Sequence, residues 1–430
     1  MRKKVSVEQL RFADYLRPHD VIGWPQGPGE PLALTEALVA QGAGLHAPVL
    51  FFGLSASDTL RPEHGQHFAF RALNGAGNNR RISALADIVP CHVSSVPALL
   101  RGGHLHVDVA LIQVKPLPAG GFTLGVIADF TQELIRQARL VIALINPALP
   151  AMGGDASVDS EDIDVLVESD DRLIDMPDPE PSMVERAVAQ QVAALVPDRA
   201  TVQLGVGTLP AAVARALCDH RDLGVHSGVV SDVLVDLVEQ GVVTNAHKGC
   251  DVGRTVTGGL FGTQRLREFS ERSGLIDMRS VEYTHHVAVT AALAQFHTIN
   301  SAIEIDLSGQ ANAEIAGDRY LGAVGGQVDF VRGGIASPGG RSIIALPSTT
   351  PDGKRSRIVA SLGARPVTTA RSDVDVIVTE HGAAHLRGCP LRERARRLIA
   401  IAHPDHRESL LRAVHGNGAQ AQSINAAAVA

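Results

Sequence analysis

Short apolar runs alternate along this chain with segments of helical spacing, and that alternation restricts it to parallel α/β architectures. Val49–Phe52, Val107–Val114 and Val141–Ile145 read as strands, and the first and last are continuous enough to be buried on both faces. Pro31–Gln41 and Thr131–Arg139 carry helical spacing. The acidic, proline-rich Asp170–Pro181 has little to bury and reads as a linker. Beyond it the pattern resumes with a helix over Met183–Leu195, strands at Thr201–Leu204 and Val374–Val378, and a helix over Leu391–Ala402. With 430 residues, 45% of them hydrophobic, the chain can build two cores. The expected domains are residues 1–182 and 183–430, with the tail Gly416–Ala430 disordered. Forty-two glycines and only 3% aromatics predict many tight turns and cores of Ala, Val, Leu and Ile.

Composition excludes several classes. Lys+Arg 39 against Asp+Glu 46 gives a net charge of −7 without a basic tract, which argues against nucleic acid as a partner. No apolar run approaches the length of a membrane span, and the start MRKKVSVEQLRFADYL lacks the apolar core of a secretory leader. Cys91, Cys218, Cys250 and Cys389 are scattered without ligand spacing, so neither a disulfide framework nor a zinc site is expected. These features predict a soluble, cytoplasmic protein.

Five segments can carry chemistry. In TVQLGVGTLPAAVARAL a strand runs into Gly205 and Gly207, then into a helix with Pro210 at its expected first position. Such a turn either cradles an anion with its free N–H groups or simply turns the chain; it lacks the third glycine of a dinucleotide fingerprint. GAVGGQVDFVRGG sets paired glycines before a strand-like VDFV, either as backbone donors for a thioester oxyanion or as a bulge. In Asn300–Glu314, Glu304 and Asp306 share the polar face of a strand, as an acid–base pair or as solvated groups. Lys354 and Arg357 form a basic loop able to meet phosphates or to sit in solvent. Finally His226, His285, His286, His381 and His385 include candidates for a general base; on a strand, His285 and His286 would face opposite ways.

The order and spacing of these segments carry more than any one of them. QLGVGTLPAAV, LGVHSGVVSDVLVDLVEQGVVTN, FGTQRL, INSAIEIDLSGQANAE, GAVGGQVDFVRGG, VTTARSDVDVIVTEHGAAHLRG and RERARRLIAIAHPDHRESL resemble the C-terminal half of the acetyl-CoA hydrolase/transferase family, of the class I CoA-transferase superfamily. The match runs from about Thr201 to Leu411, with a looser one through Gly27–Pro31, Val89–His92, Asp108–Gln113 and Phe122–Gly125. The resemblance implies two related open α/β domains with the site in the cleft between them, usually in a homodimer or higher homo-oligomer. It also implies acyl-CoA as substrate, a small carboxylate as acceptor, no metal and no bound cofactor, with coenzyme A as substrate or product. Gly325 and Gly326, in the GGQVDF segment with Gln327, then fall on the family's oxyanion and substrate contact, and for a CoA substrate Gly205, Gly207, Lys354 and Arg357 are the residues expected to bind it.

The resemblance also exposes a departure. In the family motif a glutamate attacks the thioester and carries CoA covalently, and here that position is Gly228. A family asparagine that binds the acyl carbonyl aligns at or near His285. The implied reactions are thioester hydrolysis with His226, His285 or Glu282 as base, and CoA transfer through another carboxylate such as Glu282 or Glu304. C–C cleavage of a CoA-linked substrate and acyl-CoA binding without turnover are the remaining alternatives. A vacant Gly228 is expected to leave room for water or for a larger acyl group.

Overall fold

The computed structural model describes residues 3–168 and 172–414; the predicted tail Gly416–Ala430 lies outside these. Two sheets, one of ten strands and one of eight, dominate the molecule. In the first, the strands Val21–Gly23, Val49–Phe52, Ala69–Ala72, Ala86–Ile88, Val109–Pro116, Leu140–Ile145 and Val165–Glu168 follow one another in the chain. They lie side by side as fourth, third, second, first, fifth, sixth and seventh, all parallel. The second sheet uses Thr201–Leu204, Gly224–Ser227, Thr255–Thr257, Ile276–Met278, Phe296–Ser301, Arg341–Ala345 and Val376–Thr379. Their spatial order is the same, and they too are parallel. Each sheet carries one more strand beyond its seventh, Lys3–Ser6 in the first and the antiparallel Gly382–His385 in the second, and the short antiparallel strands Phe122–Thr123 and Ser157–Val158 complete the ten of the first. The two halves are therefore topological copies, although no short repeat is visible in the sequence.

This order fixes where a ligand can go. In each sheet the winding reverses between the first and fifth strands, and the crevice at the carboxyl ends of those strands is where open α/β sheets bind ligands. Both first strands end in a glycine turn: Gly27-Pro-Gly29 leads into the helix Leu32–Ala40, and Gly205-Val-Gly207 into the helix Thr208–Ala216. Gly207 has φ +120°, open to glycine and strained for other residues. Pro210 is the third residue of its helix rather than the first. One apolar core runs across both halves, from Ala110 and Ile112 in the first sheet to Val202, Val225 and Val376 in the second. The two halves are thus packed as one body.

Three expectations need correction. The strand-like VDFV is the first half of a helix, Gln327–Ala336; Val328, Phe330 and Val331 are buried while Arg332 is exposed. Alternating β-branched and polar residues over so short a span fit either period. The described part of Asp170–Pro181 is not a free linker. Arg172 pairs with Glu36, Met176 N–H donates to Gly262 O at 3.1 Å, and Asp178 accepts from Val233 N–H at 3.0 Å. Glu304 and Asp306 are neither of the two things their strand pattern allowed, an acid–base pair or solvated groups: Glu304 meets Arg365 at 3.0 Å, and the buried Asp306 caps the turn through Ser308 and Gln310.

Candidate active site

Gly228 stands just past the carboxyl end of the strand Gly224–Ser227, beside the Gly205–Gly207 turn on the adjacent strand. Backbone ladders hold it at the domain boundary. Gly258 N–H donates to Gly228 O at 3.0 Å and Val230 N–H to Gly259 O at 3.0 Å. On its other side the same segment meets the first domain, Ala128 N–H to Gly258 O and Leu260 N–H to Val126 O, both 2.8 Å. The Gly322–Gly326 loop is stapled to the first domain as well: Gly75 N–H reaches Gly322 O at 2.9 Å, and Val93 N–H reaches Gly325 O at 3.0 Å. Gly325 turns at φ +55°, and Gly326 then caps the helix Gln327–Ala336.

The space beside Gly228 is not vacant, contrary to the expectation from sequence. A Cβ placed on Gly228 would lie 2.9 Å from His285 Cε1 and 3.1 Å from Nε2. One placed on Gly326 would lie 2.3 Å from Nε2 and 2.4 Å from Cδ2. The imidazole therefore fills a slot whose two walls must both be glycine. Its third contact is the Phe330 ring, with centroids 4.4 Å apart. Gly326→Ala should accordingly displace the ring or the loop, at a cost of about 1–3 kcal/mol typical of overpacking. Chemical denaturation of the variant would measure this; unchanged stability and activity would mean the ring yields freely.

His285 follows the short helix Val281–Thr284, and His286 begins the next, Val287–Ala291. The helix boundary, rather than strand alternation, is what buries His285 and leaves His286 exposed. Thr284 Oγ1 lies 2.8 Å from His285 Nδ1 and within 3.2 Å of Ser280 O, which can only accept. With the hydroxyl proton given to Ser280, Nδ1 keeps the ring proton and Nε2 presents its lone pair to the glycine slot. Burial pulls the imidazole down to about 3, with the neighbouring His226 contributing, so His285 is neutral at physiological pH. The positive end of the helix Gln327–Ala336, one residue away from the ring contact at Gly326, acts in the same sense.

Other predicted residues fall in different places. His226 is wholly buried, donates from Nε2 to Thr284 O at 2.9 Å, and is lowered to about 4 by burial and by Lys248. It supports the residue that holds His285 and has no access to a substrate. Glu282 turns to Arg101 of the first domain, 2.5 and 3.1 Å away, and that guanidinium holds its carboxyl below the usual range. Gln327 points inward to Thr369 Oγ1 at 2.9 Å. Lys354 is exposed, whereas Arg357 is half-buried and attracted by Glu185, Glu304 and Glu380. His381 lies against Glu380 and His403, and His385 sits on the edge strand.

Sequence reasoning missed Asp129 and Arg80. Asp129 is buried, accepts from Thr131 Oγ1 at 2.7 Å, and is raised to about 6 by desolvation. Its carbonyl accepts from Val281 N–H at 3.0 Å, tying the first domain to the helix before His285. The D-x-T spacing is its only signal. Arg80 is exposed on the wall of a cavity of about 670 Å³ that the Gly205–Gly207 turn also lines. Among the described residues, no group of three or more His, Cys, Asp or Glu could hold a metal ion, and no helix is long and apolar enough to cross a membrane.

Two doubly wound α/β domains of one topology meet over glycine turns and a buried imidazole. The first half matches the acetyl-CoA hydrolase/transferase N-terminal domain over residues 2–176, and the second the C-terminal domain of the same family over 262–414. The chain is 39% identical to the 4-hydroxybutyrate coenzyme A transferase of Clostridium kluyveri, over 95% of this chain and 97% of that one. It is 35% identical to the succinyl-CoA:cyclohexane-1-carboxylate CoA transferase of Geobacter metallireducens, over 96% and 95%. Its fold matches the crystal structure of RipA from Yersinia pestis with a TM-score of 0.89 at 33% identity, covering 97% and 98%. The chain belongs to the acetyl-CoA hydrolase/transferase family, and it is an enzyme of acyl-CoA thioesters, acting by hydrolysis or CoA transfer.

Proposed function

We propose that this enzyme hydrolyses acyl-CoA thioesters without a covalent glutamyl intermediate, using neutral His285 to activate water. The observation that carries this reading is the imidazole lodged between Gly228 and Gly326, in the place a side chain at 228 would need. Water held at Nε2 attacks the thioester carbonyl carbon as its proton passes to Nε2. The positive end of the helix Gln327–Ala336, capped by Gly326, faces the oxyanion. Collapse breaks the C–S bond, the thiolate takes the proton back from His285, and the products are a carboxylic acid and free CoA. Gly228 serves by its lack of a side chain. Gly205 and Gly207 admit the thioester from the neighbouring strand end, and the CoA phosphates fall to cations, for which Lys354, Arg357 and Arg80 on the cavity wall are the candidates.

Transfer to a carboxylate acceptor through Glu282 or Glu304 is the lesser reading, because each is already paired with an arginine. The same proposal has a homo-oligomer in the cytoplasm, in keeping with the four free cysteines, divided at about residues 182 and 183. The first test is thiol release from acyl-CoAs with and without acetate. Release that needs no acceptor supports hydrolysis; new acyl-CoA only with acceptor overturns it.

The pH profile is a second check. A base whose conjugate acid has been lowered to about 3 remains deprotonated down to mildly acidic pH. The value of kcat/KM should therefore stay flat from pH 8 to 5, where an ordinary histidine base would lose about tenfold per pH unit below about 6.5. A fall that begins near pH 6.5 would show that His285 is not the base.

A further inference from the structure

The cavity of about 670 Å³ is not part of the imidazole slot, yet it opens one residue to either side of Gly228, since Ser227 and Val229 both line it. From there it runs between the second domain's sheet and the helices Thr208–Ala216 and Val233–Glu239. Its inner walls are Val202, Val225, Ala214, Leu234 and Leu237, all buried aliphatic residues. The polar side chains on its wall include Asn78 and Arg80 of the first domain, Asp178 of the segment joining the two, and the buried Ser55 and Ser227, the latter's hydroxyl bonded to Leu204 O at 2.7 Å. The volume falls in the range that encloses most of a drug-sized ligand.

We propose that this cavity takes the acyl chain of the substrate, and that the enzyme acts on acyl-CoAs with an apolar chain of medium length, on the order of six to ten carbons. The inference rests on the thioesterase reading of the neighbouring slot. The pantetheine arm of CoA does not suit the inner end, because its two amides would be buried against aliphatic walls without hydrogen-bond partners. A hydrocarbon chain leaves nothing unpaired there, and each methylene it buries gains about fourfold in affinity. Ala211 and Ala214 provide the width, since a larger residue at either position would stand in the cavity.

The test runs acetyl-, butanoyl-, hexanoyl-, octanoyl- and dodecanoyl-CoA through two assays on the full-length enzyme, thiol release and ligand-induced thermal shift. The expected result is a rise in kcat/KM and in affinity of about fourfold per added methylene, to a plateau once the cavity is full. Ala214→Leu, which fills the cavity, should lower the ratio of octanoyl- to acetyl-CoA kcat/KM at least tenfold. Leu234→Ala, which lengthens it, should move the plateau to longer chains. Affinity that climbs with chain length without thiol release would sink the hydrolase reading and keep the acyl pocket. Thiol release and affinity indifferent to chain length in the wild type would overturn the pocket whether or not either variant folds.

Discussion

Gly228→Glu, the substitution that restores the family's nucleophile, is expected to fail alone and to succeed only when His285 is replaced with it. The glutamate would have to start 2.9 Å from His285 Cε1, inside any normal contact distance, and the ring is held by Thr284 and Phe330. The ladders through Gly258 leave residue 228 little freedom to retreat. The single variant should therefore lose stability, by about 1–3 kcal/mol as for an overpacked core, and form no enzyme–CoA adduct. In Gly228→Glu with His285→Asn, the slot is vacated and refilled with the pair the family resemblance expects. That variant should exchange CoA between acyl-CoA and acetate at least 100-fold faster than the single one, since nucleophilic attack tolerates only small misplacement. Mass spectrometry after incubation with acyl-CoA should find the protein heavier by CoA less one water. An adduct in the single variant would mean the imidazole moves aside unaided, and none in the double variant would mean position 228 does not face the thioester.

His285→Ala should cost on the order of 10²–10⁴ in kcat if the imidazole transfers the proton, with a far smaller change in KM. Removing a ring that merely fills space would instead lower stability and loosen binding. The split between kcat and KM is therefore the decisive readout. His286→Ala is the matched control: that ring is exposed, its contact being Nδ1 with Ala288 N–H. Exogenous imidazole should recover part of the rate of His285→Ala, because the vacated slot is walled by glycines and shaped for a ring. A rate within threefold of wild type would return the search to Asp129, a buried carboxyl raised toward neutrality and tied to the helix before His285.

The acid–base logic of the site depends on layers that sequence patterns do not reach. His226 was an attractive candidate on its motif position alone, beside Gly228. Strand alternation decides otherwise: the adjacent Val225 and Ser227 face the cavity, so His226 must face the other side of the sheet, where Lys248 also lies buried with its ammonium on Val225 O and Arg254 O. That cation helps to keep His226 neutral, and His226 in turn disfavours charge on His285. Glu282 has the right chemistry but is held by a first-domain arginine that lies far from it in the chain.

Sequence by itself determined the alternation of strands and helices, the two-domain α/β class, the family, and the absence of a nucleophile at 228. All of these rest on local periodicities and on residue identities at fixed spacing, which are properties of the chain before it folds. Only the tertiary structure decided what fills the gap. Gly228, Gly326 and His285 lie on three separate loops, and nothing in their local sequence records that they meet. They are brought within van der Waals contact by the parallel ladders of the second sheet and by the staples to the first domain. The same long-range packing turned VDFV into a helix and set an apolar cavity beside Gly228, because burial against a partner surface, rather than a residue's own preference, selects between periods that a short segment satisfies equally well.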